Sequence, residues 1–224
     1  MESEERPHFD EKDVTGKMYR FIWVMTGSGC HAVVNDHILT ARHVVLFAPV
    51  AARIATEYAV ANVDTLVPLY LVTDHTMKSF ASRLVADDEK SDLAILRALS
   101  KNKRNFGPPL PLSSSDVERY ESIFTIGTPD GAPFTVTDGF VNTLLVTLPA
   151  PFGDRMQLTL PIAGGNSGGC VFRMSTGEIV GVVGARKEKV PHVSYSTTLP
   201  AIRKFLESNL PKTAPETNGG HEAK

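Results

Sequence analysis

The stretch Gly164-Gly165-Asn166-Ser167-Gly168-Gly169 sets one serine among four glycines, and its surroundings decide the fold. Glycine lets a backbone take turns that a side chain forbids and lets another group come close. The pattern suits a serine hydroxyl and neighbouring amides that must stay uncovered. Two chain orders use such a serine as a nucleophile. The residues from Gly165 onward fit the G-x-S-x-G elbow of a strand–turn–helix unit, but that order needs an acid and then a histidine after the serine. No Asp follows Ser167, and only one convincing helix does. The other order places histidine and acid before the serine.

Both are present upstream. Leu39-Thr40-Ala41-Arg42-His43-Val44-Val45 reads as a strand ending in a short polar turn, and Ser91-Asp92-Leu93-Ala94-Ile95-Leu96 puts an acid just before an apolar strand. A serine hydroxyl is a poor nucleophile at neutral pH and needs a base within hydrogen-bond reach, which an imidazole supplies. His43 is the expected base, Asp92 the carboxylate that fixes its tautomer and stabilises the imidazolium, and Ser167 the nucleophile. The backbone amides of Gly165 and Ser167 are the expected oxyanion hole. Asp87 and Asp88 are rivals to Asp92 but precede the apolar strand by several residues. His37 and Asp36 read as a solvated turn, and the tail histidines His8 and His221 as spectators. His31, His75 and His192 lack Cys or His partners at metal-ligand spacing, so neither metal nor cofactor is expected.

Outward from these motifs the apolar residues fall in short β-branched and aromatic runs at 19–25, 37–40, 67–72, 93–96, 123–126, 134–141, 144–148, 156–160 and 179–183. Gly, Pro, Asn, Asp and Ser separate them, which reads as an all-β sandwich or barrel. One helix closes the folded part. Thr198 can cap it, Pro200 suits its first turn, and Ile202, Phe205, Leu206 and Leu210 recur at three- and four-residue spacing. Midway, Gly107-Pro108-Pro109-Leu110-Pro111 followed by serines cannot continue a helix or a central strand. The expected organisation is therefore an acidic tail over 1–16, a first β unit over 17–106 with His43 and Asp92, and a connector over 107–116. A second β unit with Ser167 and the helix spans 117–210, and a polar tail spans 211–224.

The 224 residues are 42% hydrophobic and 21% charged, within the range of globular proteins. A net charge of −2 gives no excess of cation for phosphate, so nucleic acid is not an expected partner. No apolar run approaches the ~18 residues of a membrane span, so neither is a membrane. The acidic start Met1-Glu2-Ser3-Glu4-Glu5 is unlike a secretory signal. These features lead to a cytoplasmic expectation, with virion association as a variant; in a reducing compartment Cys30 and Cys170 are free thiols, and the sequence leaves open whether the two meet.

The order His43, Asp92, Ser167 and the wording of the motifs resemble the chymotrypsin-like serine proteases, in particular the HtrA (DegP) branch, with its T-x-x-H-V-V, D-L-A-x-L and G-N-S-G-G. Gly27-Ser28-Gly29, Phe124-Thr125-Ile126-Gly127-Thr128-Pro129-Asp130-Gly131, Thr135-Val136-Thr137-Asp138-Gly139 and Gly177-Glu178-Ile179-Val180-Gly181 are similar to further segments of that branch, in order. The resemblance implies two six-stranded antiparallel β-barrels with a C-terminal helix. It also implies an acyl-enzyme endopeptidase acting on extended or unfolded polypeptide, with substrate adding a strand along 182–185. Pro161, Ile162, Ala163 and Gly164, with Val183, Gly184, Ala185 and Val193, become the substrate-binding residues. None is acidic, so a small or medium apolar residue is expected before the cut bond. Asn166 stands where digestive relatives have an aspartate, so no zymogen switch is expected, and no PDZ domain is expected after Ser167. Homo-oligomerisation through Tyr19, Phe21 and Trp23 is a possibility the resemblance raises. The alternative function is a catalytically idle homologue that binds peptide or builds an assembly.

Overall fold

The computed structural model describes residues 27–31, 36–46, 70–74, 76–99, 108–149, 152–187 and 189–210. The expectations for 19–25, for His75 and for both tails, including Tyr19, Phe21, Trp23, His8 and His221, lie outside the described residues.

In the first half, β1 (Gly29–His31), β2 (His37–Ala41), β3 (Tyr70–Thr73), β4 (Ser79–Asp88) and β5 (Leu93–Ala98) form one antiparallel sheet in the order β1-β2-β5-β4-β3. The second half is β6 (Ser122–Gly127), β7 (Thr135–Leu148), β8 (Gly153–Leu158), β9 (Cys170–Arg173), β10 (Ile179–Arg186) and β11 (Ser194–Thr197). They close into a six-stranded barrel in the order β10-β11-β8-β7-β6-β9. Two β units and a terminal helix are thus present as expected. Among the described residues the first unit is a five-stranded sheet, while the second is the closed barrel.

The central strands of the first sheet are apolar on both faces because both faces are covered. Ile38, Ala94 and Leu96 face one cluster with Val45 and Phe80, whereas Leu39, Leu93 and Ile95 face another. That second cluster is the seam of the molecule, shared with Cys170, Phe172, Ile179 and Val182 of the barrel and with Ile202, Phe205 and Leu206 of α1 (Leu199–Asn209). Each fully buried apolar side chain contributes about 1.5–3 kcal/mol of gross transfer energy. The helix therefore fastens both halves rather than one. Thr198 occupies its N-cap position without a side-chain capping bond.

The runs at 134–141 and 144–148 are one strand, β7, which register shifts bend rather than break. The proline-rich connector lies along β10: Leu112 bridges Ile179, the Ile179 amide donates to Pro111 O at 2.8 Å, and the Ser113 amide donates to Ile179 O at 2.9 Å. It is docked backbone rather than a bare spacer.

The two cysteines, whose pairing the sequence leaves open, are joined. Cys30 on β1 and Cys170 on β9 form a disulfide with Cα atoms 5.9 Å apart and a sequence separation of 140. They meet because the seam sets β1 against β9, a juxtaposition that no local pattern encodes.

Candidate active site

β2 delivers His43. After Ala41 the chain turns into a 3-10 segment, Arg42–Val44, closed by Val45 N–H on Arg42 O at 2.9 Å. Asp92 holds this turn at three points. Its carbonyl accepts Arg42 N–H at 3.0 Å, Oδ1 accepts His43 N–H at 2.9 Å, and Oδ2 lies 2.8 Å from His43 Nδ1. An ionised carboxylate only accepts, so it calls for the proton on Nδ1 and leaves Nε2 unengaged by Asp92. The His43 side chain is 39% exposed and that of Asp92 14%, which puts the carboxylate behind an accessible ring.

Asp92 takes a left-handed backbone, φ 55°, which Asp tolerates better than most residues. The preceding turn sets it up: the Asp88 carboxylate accepts both the amide and the hydroxyl of Ser91. Those bonds, the Ser91 hydroxyl first, hold the Asp88 carboxyl below its ordinary pKa against the opposing effect of burial. Asp87 pairs with Arg42 instead. Of the three sequence candidates, Asp92 is the one bonded to His43.

The serine loop is built by close approach. Ala163 to Asn166 form a turn closed by Asn166 N–H on Ala163 O at 3.2 Å, with Gly165 at φ 96°. Positive φ at the third position defines a type II turn. Asp130 N–H captures the Gly164 carbonyl at 2.7 Å. In a trans peptide the adjoining N–H points the other way, so the Gly165 amide faces away from Asp130. Gly168 sits at φ 86°, and a Cβ there would collide with Thr40 Oγ1 and Ser28 O and lie 3.0 Å from Ala41 N. The loop carrying Ser167 is thereby pressed against the strand end that carries His43.

Ser28 ties this contact together. Its amide donates to Ser167 O at 2.7 Å, its hydroxyl donates to Gly165 O at 2.7 Å and accepts Thr128 N–H at 3.1 Å, and its carbonyl accepts Thr40 Oγ1–H at 2.6 Å. The sequence shows Ser28 only as part of a short motif. Thr40, Thr128 and Asp130 likewise stand inside motif segments, which give no sign of the bonds they make here. Asn166 is buried with its side chain over Gly127, where any Cβ would collide with it.

The expected substrate residues divide. Pro161 and Gly164 are exposed, and Ile162, Ala163, Ala185 and Val193 half-buried, while Gly184 is buried. Val183 requires a correction. Its side chain belongs to the barrel core, its carbonyl accepts Gly168 N–H at 2.8 Å, and its amide donates to Gly169 O at 2.9 Å. It supports the serine loop and has no free edge. β9 pairs with β10 only as far as Val182, so the strand edge left for a peptide starts at Gly184, two residues later than 182. Of the other histidines, His37 stands at the start of β2 and His192 is exposed. Among the described residues no three His, Cys, Asp or Glu side chains gather as a metal set.

A His–Asp pair thus stands on one β unit and a glycine-flanked serine on the other. Residues 27–182 match the family described as "Trypsin-like peptidase domain", and the chain belongs to that family. It is 33% identical over 162 residues to a probable periplasmic serine endoprotease, DegP-like, of Hahella chejuensis, covering 70% of this chain and 29% of the relative. It is 31% identical over 167 residues to Protease Do-like 5, chloroplastic, of Arabidopsis thaliana, covering 70% of this chain and 47% of the relative. The chain thus spans less than half the length of these relatives. The fold is shared with the active form of the Rv3671c protease of M. tuberculosis, with TM-score 0.62, 20% identity and coverage of 82% and 73%. A serine endoprotease of Yersinia pestis gives TM-score 0.60, 21% identity and coverage of 81% and 56%.

Proposed function

We propose that the chain is a serine endopeptidase that cuts extended polypeptide through an acyl-enzyme. The observation that carries this is the two-point hold of Asp92 on His43, which leaves Nε2 free as a base. Ser167 Oγ gives its proton to His43 Nε2 as it bonds to the substrate carbonyl carbon, and the carbonyl oxygen takes the electron pair and faces the amides of Gly165 and Ser167. The imidazolium then protonates the leaving nitrogen as the C–N bond breaks. Water repeats the cycle on the ester and frees Ser167.

Substrate lies along the open edge of β10 from Gly184 to Arg186, where main-chain pairing is tolerant of sequence. Pro161, Ile162, Ala163, Ala185 and Val193 offer an apolar wall, which favours a small or medium apolar residue before the cut bond. Beyond it is a cavity of about 380 Å³ between Phe152, Tyr195 and the basic segment Arg186, Lys187 and Lys189. The Cys30–Cys170 bond and the periplasmic naming of relatives such as that of Hahella chejuensis favour an oxidising compartment over the expected cytoplasm.

Sequencing the products of an unfolded protein digested by the purified chain tests this function. Cuts after Ala, Val, Ile or Leu that vanish in Ser167→Ala support it, and cuts after Arg, Lys or Glu overturn the pocket assignment.

A further inference from the structure

Among the described residues Arg155 is the largest fully buried side chain, 1% exposed, on a strand where Met156 and Leu158 line the barrel core. A guanidinium is seldom buried unless a charge or a full set of acceptors meets it. Arg155 Nη1 donates to Asp154 O at 2.8 Å, but Nε and Nη2 have no hydrogen-bond partner among the described residues. The missing compensation lies across the seam. A Cβ on Gly184 would sit 3.6 Å from Asp92 Oδ2 and 3.8 Å from Arg155 Nε. The space beside Gly184 is thus bordered by both the carboxylate and the guanidinium. Burial pushes the Arg155 pKa down, and Asp92 and then Asp154 oppose it.

We propose that Arg155 is a positioning residue for the His43–Asp92 pair, a buried counter-charge brought by the second β unit to the carboxylate of the first. It rests on the endopeptidase function above and adds to it a contribution from the second half to a pair whose mutual bonds lie within the first. The other charges around Asp92 are already engaged or lie further out. Arg42 on the 3-10 turn is held by Asp87 and Glu89, Asp88 bonds Ser91 and feels Lys204 of α1, Lys90 is exposed, and Asp154 sits beside Arg155.

The consequence concerns proton affinity. A guanidinium near Asp92 opposes the imidazolium of His43, so removing its charge lets His43 hold its proton to higher pH. A unit charge within about 10 Å of the ring, at an effective dielectric near 20, makes that rise about 0.5–1.5 pH units. Arg155→Gln removes the charge and keeps a donor for Asp154 O, whereas Arg155→Lys keeps the charge.

The test is the NMR titration of the His43 ring, assigned with His43→Ala, alongside the acid limb of kcat/KM, in the wild type and both variants. The expected result is a rise of at least half a unit in the Gln variant, with kcat down about tenfold and KM within twofold, and no movement in the Lys variant. A folded Gln variant whose His43 titration is unmoved or lowered overturns the proposal. If the Gln variant does not fold, the Lys variant decides: an unmoved titration supports the counter-charge and a shift of half a unit overturns it. A wild-type chain that cleaves nothing yet shows the expected NMR shifts refutes the endopeptidase function and leaves the counter-charge standing. An active wild type without those shifts does the reverse.

Discussion

The Ser28 hydroxyl donates to the Gly165 carbonyl at 2.7 Å across 137 residues of sequence. The bond joins the first β unit to the turn that supplies one of the two proposed oxyanion amides. Orienting that turn therefore depends on a residue from the other half of the molecule.

Ser28→Ala leaves the Gly165 carbonyl and the Thr128 amide without this partner. A part-buried group so orphaned costs about 1–3 kcal/mol, and a small displacement of a catalytic group can cost about 10²-fold in rate. We expect kcat to fall about 10–100-fold with little change in KM, measured on a peptide substrate, alongside a lowered denaturant midpoint. An unchanged kcat contradicts a role for Ser28 in shaping the turn.

Asp92→Asn keeps an oxygen for His43 N–H but can place an amide donor against Nδ1, which selects the wrong tautomer. The expected loss is about 10⁴ in kcat with the fold retained. Circular dichroism and steady-state kinetics on the variant check both halves of that statement, and loss of less than tenfold speaks against Asp92 as the orienting acid.

Cys30–Cys170 closes a long loop. In the chain-entropy account such a bond is worth about 2–5 kcal/mol. Cys30→Ser with Cys170→Ser, or reduction of the wild type, is expected to lower unfolding free energy by that amount, read by urea titration with and without reductant. Equal midpoints contradict the bond.

Asp88 links pH to stability through the turn that sets Asp92. Its folded pKa lies below the unfolded value, so its contribution is present above about pH 4 and is lost as pH falls through the folded pKa. Asp88→Ala should therefore be less stable than the wild type at pH 6, with the gap closing toward pH 2. A gap that is constant with pH would assign the loss to packing instead.

Much of the site is legible in sequence because its chemistry sits in short motifs. His43, Asp92 and Ser167 each stand beside an apolar strand, and the glycines mark positive φ at Gly165 and Gly168. β4 contains no long continuous apolar run: its burial alternates, with Ser79 and Arg83 on the exposed face and a polar residue, Ser82, on the buried one. The hydrogen bonds of Ser28, the disulfide and the approach of Arg155 to Asp92 all depend on how the two units close, and closure leaves no local signature. Val183 reads as an apolar strand residue in either role; only its bonds to Gly168 and Gly169 assign it to the support of the loop.

The most direct test is reaction of the purified chain with a fluorophosphonate probe, followed by mapping of the modified residue. Stoichiometric labelling of Ser167, abolished in Ser167→Ala and at least a hundredfold slower in His43→Ala, is the predicted result. No labelling of the folded wild type at pH 8, or labelling indifferent to His43, would contradict a serine activated by the His43–Asp92 pair.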